Sequence, residues 1–85
     1  MDLKAAKTAV GRIALPNWAH GWSLSEDLDG EGEPLLRVWL EVDRELDVKV
    51  VYDELDELTD RIRAAIREAG ITEWVQVTLT NPVTG

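Results

Sequence analysis

Apolar residues at Leu3, Ala6, Val10 and Ile13 recur on one helical face, with Asp2 in the N-cap position, so the chain is predicted to open with a short helix. Gly11 weakens that helix midway. Leu15-Pro16-Asn17 is expected to end it, because the residue before a proline is pushed out of the helical region. Trp22, Leu24 and Leu28 then alternate imperfectly with Ser23, Ser25 and Asp27, the pattern of an edge strand. Asp29-Gly30-Glu31-Gly32 supplies turn residues, and residues 35–43 form the clearest strand. There Leu36, Val38, Leu40 and Val42 point one way, while Arg37, Trp39, Glu41 and Asp43 point the other.

The strongest helical pattern runs through Val48, Val51, Leu55, Leu58, Ile62, Ala65, Ile66 and Ala69. Asp47 is the predicted N-cap, and Leu46 with Val51 is placed for a hydrophobic staple. The β-branched start at Val48, Val50 and Val51 leaves a second reading open, a short strand with the helix beginning at Asp53. Gly70 stands where a C′ glycine belongs, and Ile71 is placed to touch Ile66 in a Schellman motif. Acids at 53, 54, 56 and 57 precede Arg61, Arg63 and Arg67, the order that suits a helix dipole. A last strand over 73–80 sets Val75, Val77 and Leu79 against Trp74, Gln76 and Thr78, and Asn81-Pro82 is expected to stop it.

The resulting order is α-β-β-α-β. A hairpin followed by a right-handed helical crossover puts the last strand parallel to the second. The expected fold class is α+β: a two-layer sandwich with a three-stranded mixed sheet and two helices on one face. This is a split-βαβ, ferredoxin-like arrangement without one strand. Eighty-five residues are read as one small domain, 1–85. Leu36, Val38, Leu40, Val75, Val77 and Leu79 are expected to meet the long helix in its core.

Charge changes the picture next. The net charge is −8, and it is unevenly spread. Residues 22–57 hold thirteen acids against Arg37, Arg44 and Lys49, whereas the flanking stretches are weakly basic or balanced. A strongly electronegative surface is expected, with Asp27, Asp29, Glu31 and Glu33 at the hairpin turn. Such a field repels nucleic acid and anionic membranes, speeds encounter with a basic partner and keeps a small protein soluble. With no cysteine there is neither a disulfide framework nor a thiol nucleophile. The apolar runs are too short to cross a bilayer, and the N-terminus carries no signal-peptide core. A cytoplasmic location is therefore expected.

The architecture leaves one sheet face uncovered, and strict alternation puts Trp39 and Trp74 on it, on neighbouring strands. Around them stand Arg37, Glu41, Gln76 and Thr78, so the expected surface is an apolar island with a polar rim. Tryptophan is enriched in binding hot spots because it brings large buried area at low entropy cost. The bland alternative is that the two rings stack and merely shield the sheet, or that the first helix covers them. Trp18 and Trp22 flank His20, the lone histidine, which reads more readily as a loop residue beside core aromatics than as a ligand contact or pH switch.

The sequence holds no catalytic or metal-binding constellation of recognisable spacing. Ser23 and Ser25 lie in no G-x-S-x-G elbow, no glycine-rich loop ends in Gly-Lys-Ser/Thr, and one histidine cannot build a zinc set. Asp27-Leu28-Asp29-Gly30-Glu31-Gly32 matches the opening of an EF-hand loop. The β-branched anchor of that motif is Pro34 here, however, and its closing glutamate is Val38. An acidic hairpin turn accounts for the run better than a calcium loop. No enzyme, cofactor, metal or small-molecule substrate is expected.

Leu40-Glu41-Val42-Asp43, leading into an amphipathic helix and a closing strand, resembles in topology the small cytosolic domain of cation diffusion facilitator transporters. The resemblance covers roughly residues 35–80 and rests on no specific motif, and both the membrane span and the metal ligands are missing. It implies the fold alone. The leading expectation is a non-enzymatic, acidic protein-interaction module. It would bind a protein partner or a second copy of itself through Trp39, Trp74, Arg37, Glu41 and Gln76. The alternative is an acidic inhibitor or antitoxin-like protein that occupies a basic nucleic-acid-binding surface of its target by charge mimicry.

Overall fold

A computed structural model describes residues 2–81. The elements follow in the order α1 (Leu3–Gly11), β1 (Ala19–Leu28), β2 (Pro34–Val42), α2 (Val48–Glu68) and β3 (Trp74–Thr80). The sheet runs β1-β2-β3, with β1 antiparallel and β3 parallel to the central β2. This is the expected α+β, ferredoxin-like sandwich without one strand. Both helices feed one core: Ala6 and Val10 of α1 and Leu58, Ile62 and Ile66 of α2 are buried with Leu36, Val38, Leu40 and Val75 of the sheet. Val77 and Leu79 complete that face as partly buried neighbours.

Local chemistry explains why the elements start and stop where they do. Asp2 Oδ1 accepts from Ala5 N at 3.1 Å and caps α1. The open reading at 46–52 resolves to helix: Asp47 accepts from Lys49 N at 3.0 Å, and α2 is helical from Val48 onward. At the far end Ile71 N donates to Ile66 O at 3.3 Å and Gly70 N to Arg67 O at 3.0 Å, while Gly70 has φ +85°. These two bonds and the left-handed residue are the Schellman motif.

Three expectations are corrected. Helix α1 stops at Gly11 rather than running on toward Pro16; Arg12 and Ile13 donate only to Ala9 and Val10, three residues back. Glycine is a poor helix former, so the helix gives way at Gly11, ahead of the proline. Strand β1 starts at Ala19, ahead of Trp22, and a register shift between Ala19 and Gly21 places His20 at a bulge within the strand instead of in a loop. The apolar stripe of α2 also overreaches. Val48 is 41% exposed and Ala69 is exposed, so neither end of the stripe is buried in the core. The expected stop at Asn81-Pro82 falls partly outside the described residues. Asn81 itself donates from Nδ2 to Val42 O at 2.9 Å, tying the end of β3 to the end of β2. Among the described residues no helix is long and apolar enough to cross a membrane.

Candidate functional site

The helices leave the second face of the sheet uncovered. Register sets out its rows: Asp27, Leu35 and Trp74; Ser25, Arg37 and Gln76; Ser23, Trp39 and Thr78; Gly21, Glu41 and Thr80. Arg37 is the hub. Its Nε donates to Asp27 Oδ2 at 3.1 Å and its Nη1 to Thr78 Oγ1 at 3.1 Å, so one side chain on β2 joins both flanking strands. The guanidinium carbon also lies 5.3 Å from the Trp39 ring centroid, within cation–π range.

Trp39 is half-buried in that setting. Its Nε1 donates to Ser25 Oγ at 2.9 Å, across a diagonal of the β1–β2 pair, since Ser25 faces Arg37 in register. Tryptophan has one polar atom, so the bond leaves the ring with its N–H satisfied and one aromatic face as apolar area. Glu41 extends over the bare backbone of Gly21; a Cβ there would meet Glu41 Oε2 at 2.9 Å. Gln76 is exposed on β3 beside Arg37.

The two tryptophans are not one patch. Trp39 faces Thr78, and Trp74 faces Leu35 four residues away, a separation of about 13 Å along the strands. Trp74 is 59% exposed, and its ring lies against Arg63 of α2, whose guanidinium carbon is 4.4 Å from the ring centroid. The side chain therefore turns to the β3 edge and the helix layer, away from Trp39. Stacking of the two rings on each other and cover by α1 are both excluded by this geometry. Arg63 and Ser25 were not foreseen as partners of the tryptophans. Nothing in local spacing marks them, because each contact depends on register or on the helix–sheet packing.

At the hairpin tip the acids are largely structural. Asp29 Oδ1 accepts from Glu31 N at 2.8 Å and Glu33 N at 2.9 Å, an Asx-type turn. Asp27 is divided between Leu28 N at 2.9 Å and Arg37. Glu31 and Glu33 are exposed, and both lend backbone N–H groups to the turn. Gly32, at φ +82°, supplies the left-handed residue the turn needs. Among the described residues no group of three or more His, Cys, Asp or Glu side chains is arranged to hold a metal ion. His20 Nε2 and Asp43 Oδ1 lie 3.0 Å apart at the bulged end of β1, with both side chains open to solvent.

No family model and no curated protein matches this chain. Solved structures do. Three structures of the MamM CTD, a C-terminal domain, superpose on nearly its whole length. A variant in a nickel form gives a TM-score of 0.55 at 16% identity, covering 95% of this chain and 95% of that one. A second variant gives 0.55 at 16% identity, covering 95% and 92%, and a double variant 0.52 at 17% identity, covering 96% and 92%. At that identity the likeness establishes the fold.

Proposed function

We propose that this protein is a non-enzymatic protein-interaction module whose uncovered sheet face is its binding surface. The observation that carries the reading is the state of Trp39. A large ring on a face with no covering layer is held in one orientation by Ser25 and Arg37, and Arg37 is itself held by Asp27 and Thr78. A surface already ordered in this way gives up little conformational entropy when a partner covers it, and so presents the ring as a hot spot. Glu41 and Gln76 form the polar rim. The acidic stretch from 22 to 57 supports long-range steering toward a partner with a basic surface.

The partner is a protein surface, and a second copy of this chain is the first to test. Light scattering of wild type and Trp39→Ala over a concentration series reads self-association directly. A dimer in wild type that becomes a monomer in Trp39→Ala, with both folded by circular dichroism, supports the face as a self-association surface. If both are monomers, capture from lysate with the same pair tests a different partner. Capture that survives Trp39→Ala but collapses with salt would move the function to the acidic stretch, as charge mimicry of a nucleic acid requires. Capture that fails for Trp39→Ala and tolerates salt supports the uncovered face.

A further inference from the structure

At the other side of Trp74 the C-terminal end of α2 and the edge of β3 enclose a hollow of about 140 Å³, lined by Arg63, Arg67, Ile71, Thr72, Glu73 and Trp74 among others. We propose that this hollow binds a single carboxylate carried by an extended peptide segment, with Arg63 and Arg67 holding the carboxylate and Trp74 serving as the platform beside it.

Arg63 is prepared for that task. Its Nε donates to Val75 O at 3.1 Å, and its guanidinium carbon lies 4.4 Å from the Trp74 ring centroid, so the head group is held before any ligand arrives. A fixed guanidinium presents paired N–H donors in the geometry that a carboxylate accepts bidentately, with little entropy left to lose. Arg67 follows one helical turn later on the same face and lines the same hollow. Among the described residues no carboxylate lies within 4.0 Å of either head group, although acids outnumber bases seventeen to nine. By contrast, Arg37 is paired with Asp27.

The ligand's form follows from what surrounds the arginines. Strand β3 is an edge, paired with β2 alone, and the Val75 carbonyl accepts a hydrogen bond from the Arg63 side chain. The remaining outer edge suits an extended segment lying alongside. Trp74, 59% exposed, gives that segment an apolar floor. Glu73 also lines the hollow, so every negative charge on a ligand is disfavoured by it and a single carboxylate is the least penalised anion. A lone Glu or Asp among neutral residues fits, whereas an acidic run or a dianionic phosphate does not. The site is independent of the uncovered face, since it uses neither Trp39 nor Arg37.

The test is a titration of the ¹⁵N-labelled full chain with acetyl-Thr-Val-Glu-Val-Thr-amide, its Gln counterpart and inorganic phosphate, following the Trp74 indole N–H and the Arg63 Nε–H. The expected result is saturable shifts of both signals with the Glu peptide, with a midpoint below about 10 mM. The Gln peptide, or Arg67→Ala with the Glu peptide, should weaken binding by about tenfold or more. Arg67 is exposed, so its variant keeps the fold, which an unchanged melting temperature would verify. Absence of saturable shifts overturns the proposal, as does equal binding of the Gln peptide. Phosphate binding as tightly as the Glu peptide overturns it too, because the site would then be a general anion site. Trp39→Ala should leave the titration unchanged, so a failure here is separable from a failure at the uncovered face.

Discussion

The indole N–H of Trp39 reaches Ser25 Oγ at 2.9 Å along the diagonal of the β1–β2 pair, and that bond orients the only tryptophan whose ring belongs to the uncovered face. Trp74 has a different partner, Arg63, and a different place at the sheet edge. Trp39 and Trp74 thus each carry their own arginine, and the protein presents two separate aromatic surfaces where alternation alone implied one.

Ser25→Ala removes the acceptor while leaving a half-buried indole N–H. A loss of about 1 kcal/mol is expected, read as a lower urea midpoint with an unchanged slope. The Trp39 indole resonance should also broaden or move. Unchanged stability together with an unchanged indole signal would mean that Ser25 does not orient the ring.

Arg37→Lys keeps the charge but loses the fork that joins Asp27 and Thr78 across the sheet. These contacts are partly exposed, so the cost should stay near ~1 kcal/mol. Arg37→Ala should cost no less, because it also strips the alkyl stem from the face. If Lys proves neutral in thermal melts, the bridging role is wrong.

Gly70→Ala places a Cβ on a residue at φ +85°. The expected penalty is about 1–2 kcal/mol, a fall in Tm of at least ~4 °C for a domain this size. Gly70→Val should fall further. Gly30 has no positive φ and nothing within 4 Å of a built Cβ, so Gly30→Ala is the matched control and should melt with wild type.

Asp29→Ala should loosen the hairpin by about 1 kcal/mol by leaving two backbone donors of the turn without their acceptor. Because that carboxylate oxygen already serves the turn, millimolar calcium should leave the Tm of wild type unchanged. A calcium-dependent rise that Asp29→Asn abolishes would restore the calcium-loop reading.

Ile62→Ala removes a fully buried side chain from the helix–sheet core. A loss of about 2–5 kcal/mol is expected, enough to consume much of the stability of a small domain. A mild effect in denaturant titration would contradict the close packing of α2 on β2.

What could be read from residue order alone were the features whose causes are local. The stripe from Val51 to Ile66, the strict alternation of Leu36 to Val42, the caps at Asp2 and Asp47 and the Gly70–Ile71 ending all arise within a few residues of chain. Helix and strand periods and cap hydrogen bonds span no more than that. The parallel return of β3 also followed, since a right-handed crossover leaves one arrangement. Only the tertiary structure decided the rest. Trp39 finds Ser25 because register sets that diagonal. Trp74 leaves its neighbour's face because Arg63 meets it at the edge. Alternation states which side of a strand a residue starts from, but register and edge packing choose its neighbours, and those are long-range contacts that no local spacing encodes.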